Sequence, residues 1–194
     1  MLVAMVQDLR VIIVKLADRM HNMRTLDFHP DPVKRERIAL ETLNIYAPIA
    51  DRLGLFRMKE MLETECFRIL HPDEYIRIMK ELEGMYEEQE FFLEKANTVI
   101  RKVIPKHIPI IEISYRIKAP YSIYRKLLRK EYSYTNPRDL YDLFAIRIIT
   151  QTIPQCYEVL GILHNVFIPM PKRFKDYIAL PKENRYQSLH TTVV

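Results

Sequence analysis

The sequence predicts an α+β protein in which a helical first half precedes a mixed β-sheet flanked by helices. From residue 33 to about residue 104, apolar residues recur every three or four positions, which is the spacing of helices. After Pro105 the pattern changes to the alternation of a strand over residues 111–118. The 194 residues, 48% hydrophobic and 28% charged, can build one large core or two small ones.

Two apolar stripes predict the buried faces of the helices. The first consists of Leu55, Met58, Leu62, Cys66 and Ile69, and the second of Leu82, Met85, Phe92, Ala96, Val99 and Val103. Each stripe returns to the same side of a helix, so we interpret both as core rather than as a cofactor pocket. Pro72, directly after His71, predicts a break between two helices.

The second half contains the remaining elements. Residues 111, 113, 115 and 117 are predicted to share one strand face, which leaves Glu112, Ser114, Arg116 and Lys118 on the other. Pro120 suits the first turn of a helix that ends at Lys130, and a polar loop follows over residues 132–138. Residues 140–150 predict a buried strand, Pro154 begins a helix that ends near Pro169, and two more strands are expected at residues 176–180 and 186–194.

The composition excludes some nucleotide sites and favours a polyanionic ligand. Only three glycines occur, which excludes a P-loop and a glycine-rich dinucleotide fingerprint. Residues 101–130 contain nine Lys or Arg against Glu112 alone, a net charge of +8, while the rest of the chain carries −3. Such a focused positive charge attracts polyanions, either nucleotide phosphate or nucleic acid.

Cysteine usage and hydropathy predict a cytoplasmic protein. Cys66 and Cys156 lie 90 positions apart without the spacing of metal ligands, which is typical of reduced thiols. No apolar run approaches the roughly 18 residues of a membrane helix, and residues 1–9 lack the features of a signal peptide. We therefore expect no membrane partner, and the sequence leaves the oligomeric state open.

Polar side chains near the first strand predict a phosphate site. Arg116 and Lys118 share a strand face, and Ser122 and Lys126 lie four residues apart on the next helix. Three cations and a hydroxyl can bind a triphosphate through charge-assisted hydrogen bonds. Asp142 is placed to bring a divalent cation to the same phosphates. From spacing alone, a solvated basic surface and an ion-paired structural aspartate remain open.

The last thirty residues predict a pocket for a nucleotide base. Tyr186 offers an aromatic face on which a base can stack, an interaction worth roughly 1–3 kcal/mol. Four neighbours supply donors for the edges and phosphates of the nucleotide: Lys175, Lys182, Asn184 and His190. The alternative is a polar hairpin with a half-buried tyrosine.

Ordered strings of residues resemble the motifs of the Rel/SpoT family of guanosine tetra- and pentaphosphate enzymes. They are the Arg116-x-Lys118 pair, residues 121–126 (YSIYRK), residues 142–147 (DLFAIR), residues 173–179 (RFKDYIA) and residues 181–192 (PKENRYQSLHTT). Upstream, residues 15–25 (KLADRMHNMRT) resemble the last motif of the family's His-Asp-type hydrolase domain. The resemblance implies the end of a hydrolase domain at residues 1–50, connecting helices at 51–105, and a truncated, nucleotidyltransferase-like synthetase core at 106–194.

The resemblance also implies a reaction and a role for each matching residue. The family's synthetase moves the β,γ-pyrophosphate of ATP onto the 3′-hydroxyl of GTP or GDP in the stringent response. Four residues match the positions that hold the ATP phosphates in the family: Arg116, Lys118, Ser122 and Lys126. Asp142 matches the family's magnesium ligand. The resemblance therefore implies that Asp142, Arg116 and Lys118 are the catalytic residues. Tyr186 matches the residue that stacks on the acceptor guanine, with Lys175, Lys182, Asn184 and His190 at other acceptor positions. In the hydrolase motif, Asp18 matches a manganese ligand and Asn22 a residue at the nucleotide.

Three positions depart from the family's pattern. Ala119 stands in place of a usual His, and Lys172 and Arg185 stand in place of usual glycines. A positive backbone angle at Arg185 would be strained. The string at residues 173–176 resembles bifunctional members, so we expect the parent protein to make and to degrade the alarmone.

The resemblance further implies that the fragment is a poor catalyst. It places the family's catalytic glutamate on a strand beyond Val194 and the other hydrolase metal ligands before Met1. The expected partners are ATP and GTP or GDP, with RNA or the ribosome as partners of the full-length protein. The alternative function is a degenerate synthetase-fold module that binds RNA or the ribosome without catalysis.

Overall fold

The computed structural model describes residues 8–129, 136–140 and 142–194, apart from the side chains of residues 86–89 and 139. The chain is α+β, as predicted: among the described residues, helices alone occupy the first half, and strands with two further α-helices occupy the second half. It divides into two compact units. The first comprises Met1–Ile78 with Ala119–Arg125, and the second comprises Met79–Lys118 with Lys126–Val194. The predicted loop at residues 132–138 lies largely outside the described residues.

Helices build the first unit and continue into the second. The first unit contains α1 (Leu9–Arg24), α2 (Pro32–Glu41), a π-helical turn (Thr42–Tyr46), α3 (Ala47–Arg52) and α4 (Phe56–Leu70). Helix α5 (Pro72–Val103) belongs to the first unit up to Ile78 and to the second from Met79, and α6 (Pro120–Leu127), after the first strand, belongs to the first unit up to Arg125. The carboxylate of Asp31 accepts hydrogen bonds from the backbone of Val33 and Lys34, which caps α2 before Pro32 in its first turn. The break predicted between His71 and Pro72 is confirmed, since α4 ends at Leu70.

The predicted stripe on α4 lies in the core of the first unit. Leu62 and Cys66 are fully buried, and Leu55, Met58 and Ile69 pack against them. Aromatic rings attach α6 to α4. Phe67, also fully buried, lies 4.7 Å from the ring of Tyr124 in a stacked arrangement and 5.8 Å from the ring of Tyr121. The first turns of α6 therefore belong to the helical core.

The second predicted stripe, on α5, is only partly core. Leu82 and Met85 are buried, but Phe92 is 62% exposed and Val99 is 37% exposed, so the prediction is wrong at these two positions. The hydrophobic core of the second unit includes Ile100, further along α5, and Ile104, directly after the end of the helix. Spacing alone indicates which residues share a helix face, but it does not indicate how far along the helix a packing partner extends.

The strands β1 (Ile110–Ile117) and β2 (Phe144–Thr150) form an antiparallel pair. The register shifts between Ile110 and Glu112, so Ile111 is the extra residue of a β-bulge. Its side chain is 62% exposed, which corrects the predicted strand face at that position. The apolar side of the pair instead consists of Ile110, Ile113, Ile146 and Ile148, which pack against α7 (Ile153–Val166) and the end of α5.

The strands expected in the tail are much shorter than predicted. Only β3 (Lys175–Asp176) and β4 (Leu189–His190) pair as regular strands, again antiparallel. The pairing resumes where Ile168 and Val194 exchange backbone hydrogen bonds of 3.2 and 3.0 Å. Prolines 169 and 171 lack a donor and Lys172 has φ +61°, so the ladder is interrupted between these two parts. The strands of the described residues pair only antiparallel, in two separate sheets, which corrects the expected mixed sheet.

Candidate functional site

Two lysines converge on one aspartate beside β1. Nζ of Lys118 donates a hydrogen bond to Oδ2 of Asp142 at 2.9 Å, and Nζ of Lys126 lies 2.6 and 2.5 Å from its Oδ1 and Oδ2. The backbone N–H of Lys118 donates to the carbonyl of Leu143 at 2.8 Å, which extends the β1 and β2 pairing to the aspartate. We call these three side chains the Lys–Asp–Lys cluster.

Burial and ion pairing compete in the Lys–Asp–Lys cluster. Partial burial acts to raise the pKa of Asp142, but the hydrogen bonds from Lys126 and Lys118 outweigh it and hold that pKa below its usual value. Burial is the largest influence on Lys118 and lowers its pKa, although the bond to Asp142 acts in the opposite direction. Two cations share one carboxylate, so the cluster keeps a positive charge that an anion can neutralise.

The other two predicted phosphate ligands lie on neighbouring elements. Arg116 is exposed on β1, on the sheet face opposite the apolar core. Ser122 lies on α6 one helical turn before Lys126 and is half-buried. Ser122 belongs, with the rest of residues 119–125, to the first unit.

The five residues predicted for the base pocket lie together in the second unit. The hydroxyl of Tyr186 is 2.9 Å from Nε2 of His190, and Lys175 pairs with His190 between β3 and β4. Nζ of Lys182 lies 5.0 Å from the ring centroid of Tyr186. Oδ1 of Asn184 accepts a hydrogen bond of 3.1 Å from the backbone of Tyr186. We call these five residues the acceptor cluster.

Burial and four cations of the second unit act on the pKa of His190. Burial is the main cause that lowers the pKa of His190 below 6.5, and the neighbouring cations Lys182, Lys175, Arg116 and Arg147 lower it further. Arg116 also acts on Lys118 of the Lys–Asp–Lys cluster. Arg116 therefore acts electrostatically on one residue of each cluster.

Three residues that were not predicted from the sequence as site residues form hydrogen bonds that hold the segment after Lys175 in place. The carboxylate of Asp176 accepts backbone hydrogen bonds from Ile178 and Ala179 and a hydrogen bond of 2.9 Å from the hydroxyl of Tyr157 on α7. Next in the chain is Tyr177, whose backbone N–H donates to the carbonyl of Ser188 at 2.9 Å. The only signal for Asp176 and Tyr177 in the sequence is their place in the RFKDYIA string.

Two of the departures from the family's pattern have the backbone conformation that favours glycine. Arg185 has φ +59° and Lys172 has φ +61°, both in the left-handed region. The positive angle expected at Arg185 is confirmed. Arg185 lies in the turn between Lys182 and Tyr186, so the strain is located inside the acceptor cluster.

The two predicted metal ligands differ in how well their surroundings fit an ion. Asp142 is half-exposed and its present partners are flexible lysine side chains, which suits magnesium because that ion often takes one or two carboxylates together with substrate phosphates. Asp18 and Asn22 are exposed on one face of α1. Within the described ranges no group of three His, Cys, Asp or Glu side chains could hold a metal ion, so these residues do not form a complete manganese site.

None of the helices in the described part of the chain combines the length and the apolar character that crossing a bilayer requires.

Comparison with known proteins identifies two regions. A family model described as a region found in RelA / SpoT proteins matches residues 115–194, and one described as an HD domain matches residues 1–56. The first region contains both clusters, and the second contains Asp18 and Asn22. The matches define a protein that joins the end of an HD domain to a RelA/SpoT region.

Curated relatives match the whole chain. They include a GTP pyrophosphokinase of Myxococcus xanthus (46% identical), a probable guanosine-3′,5′-bis(diphosphate) 3′-pyrophosphohydrolase of Synechocystis sp. (46%) and a guanosine-3′,5′-bis(diphosphate) 3′-pyrophosphohydrolase of Aquifex aeolicus (44%). Each alignment covers all of this chain and 25%, 25% and 27% of the relative, respectively. The chain thus spans about a quarter of the length of these relatives. It belongs to the RelA/SpoT family.

Proposed function

We propose that the second unit aligns ATP with GTP or GDP and transfers the β,γ-pyrophosphate of ATP to the 3′-hydroxyl of the acceptor. The observation that carries the proposal is that one compact unit contains both the Lys–Asp–Lys cluster and an acceptor cluster built around Tyr186, with Arg116 acting on a residue of each. The Myxococcus xanthus relative, a GTP pyrophosphokinase, supports the same activity. A parent protein that carries this chain would be an alarmone synthetase of the cytoplasm.

The phosphate side of the site provides charge rather than covalent chemistry. In the reaction, the acceptor's 3′-oxygen forms a bond to the β-phosphorus of ATP, the bond from that phosphorus to the oxygen of the α-phosphate breaks, and AMP leaves. The proton of the 3′-hydroxyl is released as the new bond forms. Negative charge stays on the phosphate oxygens throughout, so positioning and neutralisation dominate the catalysis. Lys118 and Lys126 can exchange the carboxylate of Asp142 for phosphate oxygens, with Arg116 as a further ligand in the same unit.

Asp142 would hold the magnesium ion together with the phosphates. Magnesium, when bound, neutralises charge on the phosphate oxygens. When ATP binds, each of the two lysines would release the carboxylate of Asp142 and gain a phosphate oxygen. The binding of ATP and the release of Asp142 would therefore occur together. This exchange explains why a carboxylate is present inside a site for anions.

The acceptor side provides a surface for the base and donors for the rest of the nucleotide. The ring of Tyr186 would stack on guanine. Its hydroxyl contact to His190 orients the ring, and the hydrogen bond from its backbone to Asn184 holds the main chain of the turn. Lys175 and Lys182 would neutralise the acceptor's phosphates. The low pKa of His190 keeps its ring neutral near pH 7, so the ring can orient Tyr186 without adding charge.

The proposal extends to the hydrolase motif in a limited form. The Synechocystis and Aquifex relatives are named as pyrophosphohydrolases, which supports a bifunctional parent in which Asp18 binds manganese and Asn22 contacts the nucleotide. The described residues lack a complete ligand set for that ion. RNA or the ribosome remains a proposed partner of a longer protein, because residues 101–130 carry a net charge of +8.

A transfer assay tests the proposed function. The 194-residue chain, and a longer protein that contains it, are incubated with γ-labelled ATP, GDP and magnesium, and labelled guanosine product is separated by chromatography. We expect product from the longer protein, little or none from the chain alone, and a loss of at least about 100-fold in the longer protein with Lys126→Met. The matched control is Arg129→Met, which removes an exposed cation of the same basic region. Absence of product from the longer protein, or equal rates for the two variants, contradicts the proposal.

A further inference from the structure

Tyr177 lies at the centre of the acceptor cluster. Its ring centroid is 5.2 Å from that of His190 and 6.2 Å from that of Tyr186, with steeply inclined planes in both pairs. The rings of Tyr186 and His190 are themselves 5.8 Å apart, so the three rings form a closed group in which each ring contacts the other two. Tyr177 therefore contacts the proposed base platform directly.

The same ring contacts the ammonium group of Lys182. Nζ of Lys182 lies 4.7 Å from the ring centroid of Tyr177 and 5.0 Å from that of Tyr186. Both distances are within the range of a cation–π interaction, so the two tyrosine rings share one cation. A base that stacks on Tyr186 competes with this ammonium for the surface of the ring.

The backbone fixes Tyr177 in this position. Its N–H donates a hydrogen bond to the carbonyl of Ser188, which continues the pairing of β3 with β4 by one residue. On the following residues, Ile178 and Ala179 bind the carboxylate of Asp176, which also accepts the hydroxyl of Tyr157. The ring of Tyr177 is thus presented by a well-connected segment.

We propose that Tyr177 is a positioning residue of the acceptor site, which keeps the ammonium group of Lys182 beside Tyr186 when a guanine base stacks there. The inference rests on the proposed function and adds a residue to it. Without the ring of Tyr177, the base and the Lys182 side chain would compete for Tyr186 alone. With it, Lys182 retains an aromatic partner and stays close to the acceptor's phosphates.

This role requires the aromatic face of Tyr177, and it concerns the acceptor rather than ATP. Tyr177→Leu is therefore expected to weaken GDP binding about tenfold and to leave ATP binding unchanged. Tyr177→Phe keeps the ring face and is expected to bind GDP within about twofold of the unchanged chain. If Tyr177 had only a structural role, Tyr177→Leu would weaken the binding of GDP and of ATP alike.

Isothermal titration calorimetry of the 194-residue chain with GDP, and separately with ATP and magnesium, tests the inference. Tyr177→Leu, Tyr177→Phe, Lys182→Met and the Tyr177→Leu, Lys182→Met double variant are compared, each with a melting curve as a check of folding. If the leucine variant does not melt cooperatively, Tyr177→Met replaces it. We expect the effect of Tyr177→Leu to disappear in the Lys182→Met background, because the ring acts through that ammonium.

Two results would overturn the inference in different ways. Tyr177 does not have this role if Tyr177→Leu binds GDP as tightly as the unchanged chain does. The same conclusion follows if Tyr177→Leu weakens GDP binding as much in the Lys182→Met background as in the unchanged chain. Both results leave the proposed function intact. Failure of the unchanged chain to bind GDP contradicts the proposed function itself, and the inference with it.

Discussion

Nζ of Lys126 lies 2.6 Å from one carboxylate oxygen of Asp142 and 2.5 Å from the other. Lys118 also donates to this carboxylate, so both oxygens are already engaged by cations. A magnesium ion that approaches Asp142 must therefore displace lysine, and phosphate oxygens that accept the displaced lysines make this easier. The proposed magnesium and ATP sites are consequently coupled through these two side chains.

The first prediction concerns Asp142. In a longer protein that contains the chain, we expect Asp142→Asn to abolish synthesis, since the amide is a weak magnesium ligand, and to leave hydrolysis largely intact. Thin-layer chromatography of product formed from labelled ATP measures synthesis, and release of pyrophosphate from the alarmone measures hydrolysis. Parallel loss of both activities would argue against the assignment of Asp142 to the synthetase metal.

The second prediction concerns pH. Because burial and nearby cations lower the pKa of His190 below 6.5, the folded chain takes up this proton less readily than the unfolded chain. The contribution of neutral His190 to stability is thus present above about pH 6.5 and is lost as pH falls through the lower, folded-state pKa. Lys182→Met removes one of the cations, so the pKa of His190 should rise.

The histidine ring protons, followed by NMR during a pH titration, measure this shift. A His190 midpoint that does not move in Lys182→Met would show that the ammonium does not act on this ring.

The third prediction concerns backbone strain. Arg185 has φ +59°, so Arg185→Gly should stabilise the chain by about 1 kcal/mol through relief of the left-handed conformation. Glu183→Gly, two residues earlier in the same turn and outside the positive-φ positions, is the matched control and should lower stability or leave it unchanged. Urea denaturation gives both free energies of unfolding. Equal changes in the free energy of unfolding for the two variants would contradict the predicted backbone strain at Arg185.

The fourth prediction concerns the attachment of α6. Phe67 is fully buried and stacks on Tyr124, so Phe67→Ala should lower the free energy of unfolding by about 3–5 kcal/mol. Phe56→Ala, at an exposed position of α4, is the control and should cost much less. Chemical denaturation distinguishes the two. If both variants lose a similar free energy of unfolding, the aromatic contacts of α6 contribute little to the stability of the core.

Local patterns in the sequence predicted the fold where one face of an element is buried along its whole length. The stripe of Leu62 and Cys66 is core, and the break before Pro72 is present. The predictions were wrong where long-range packing decides the outcome. Phe92 is exposed because the core contacts α5 further along, and the bulge at Ile111 depends on how β1 pairs with β2.

The candidate site shows the same division. Residue types and motif order indicated Lys118, Lys126 and Asp142, which the fold brings together, and Tyr186 with His190. The contacts of Tyr177 could not be predicted, since they depend on the pairing of β3 with β4 and on the position of Lys182 across the turn. The roles of all these residues in the reaction remain predictions.

The central claim is that one face of the second unit binds two nucleotides, one through a magnesium-dependent exchange at Asp142. Thermal unfolding of the chain with GDP, ATP and magnesium tests it most directly, since a ligand that binds the folded state raises the melting temperature. We predict that GDP stabilises the chain without magnesium, that ATP requires magnesium for its full effect, and that Asp142→Asn removes only the magnesium-dependent part. A melting temperature that neither nucleotide changes, with salt-sensitive stabilisation by RNA instead, would contradict the claim.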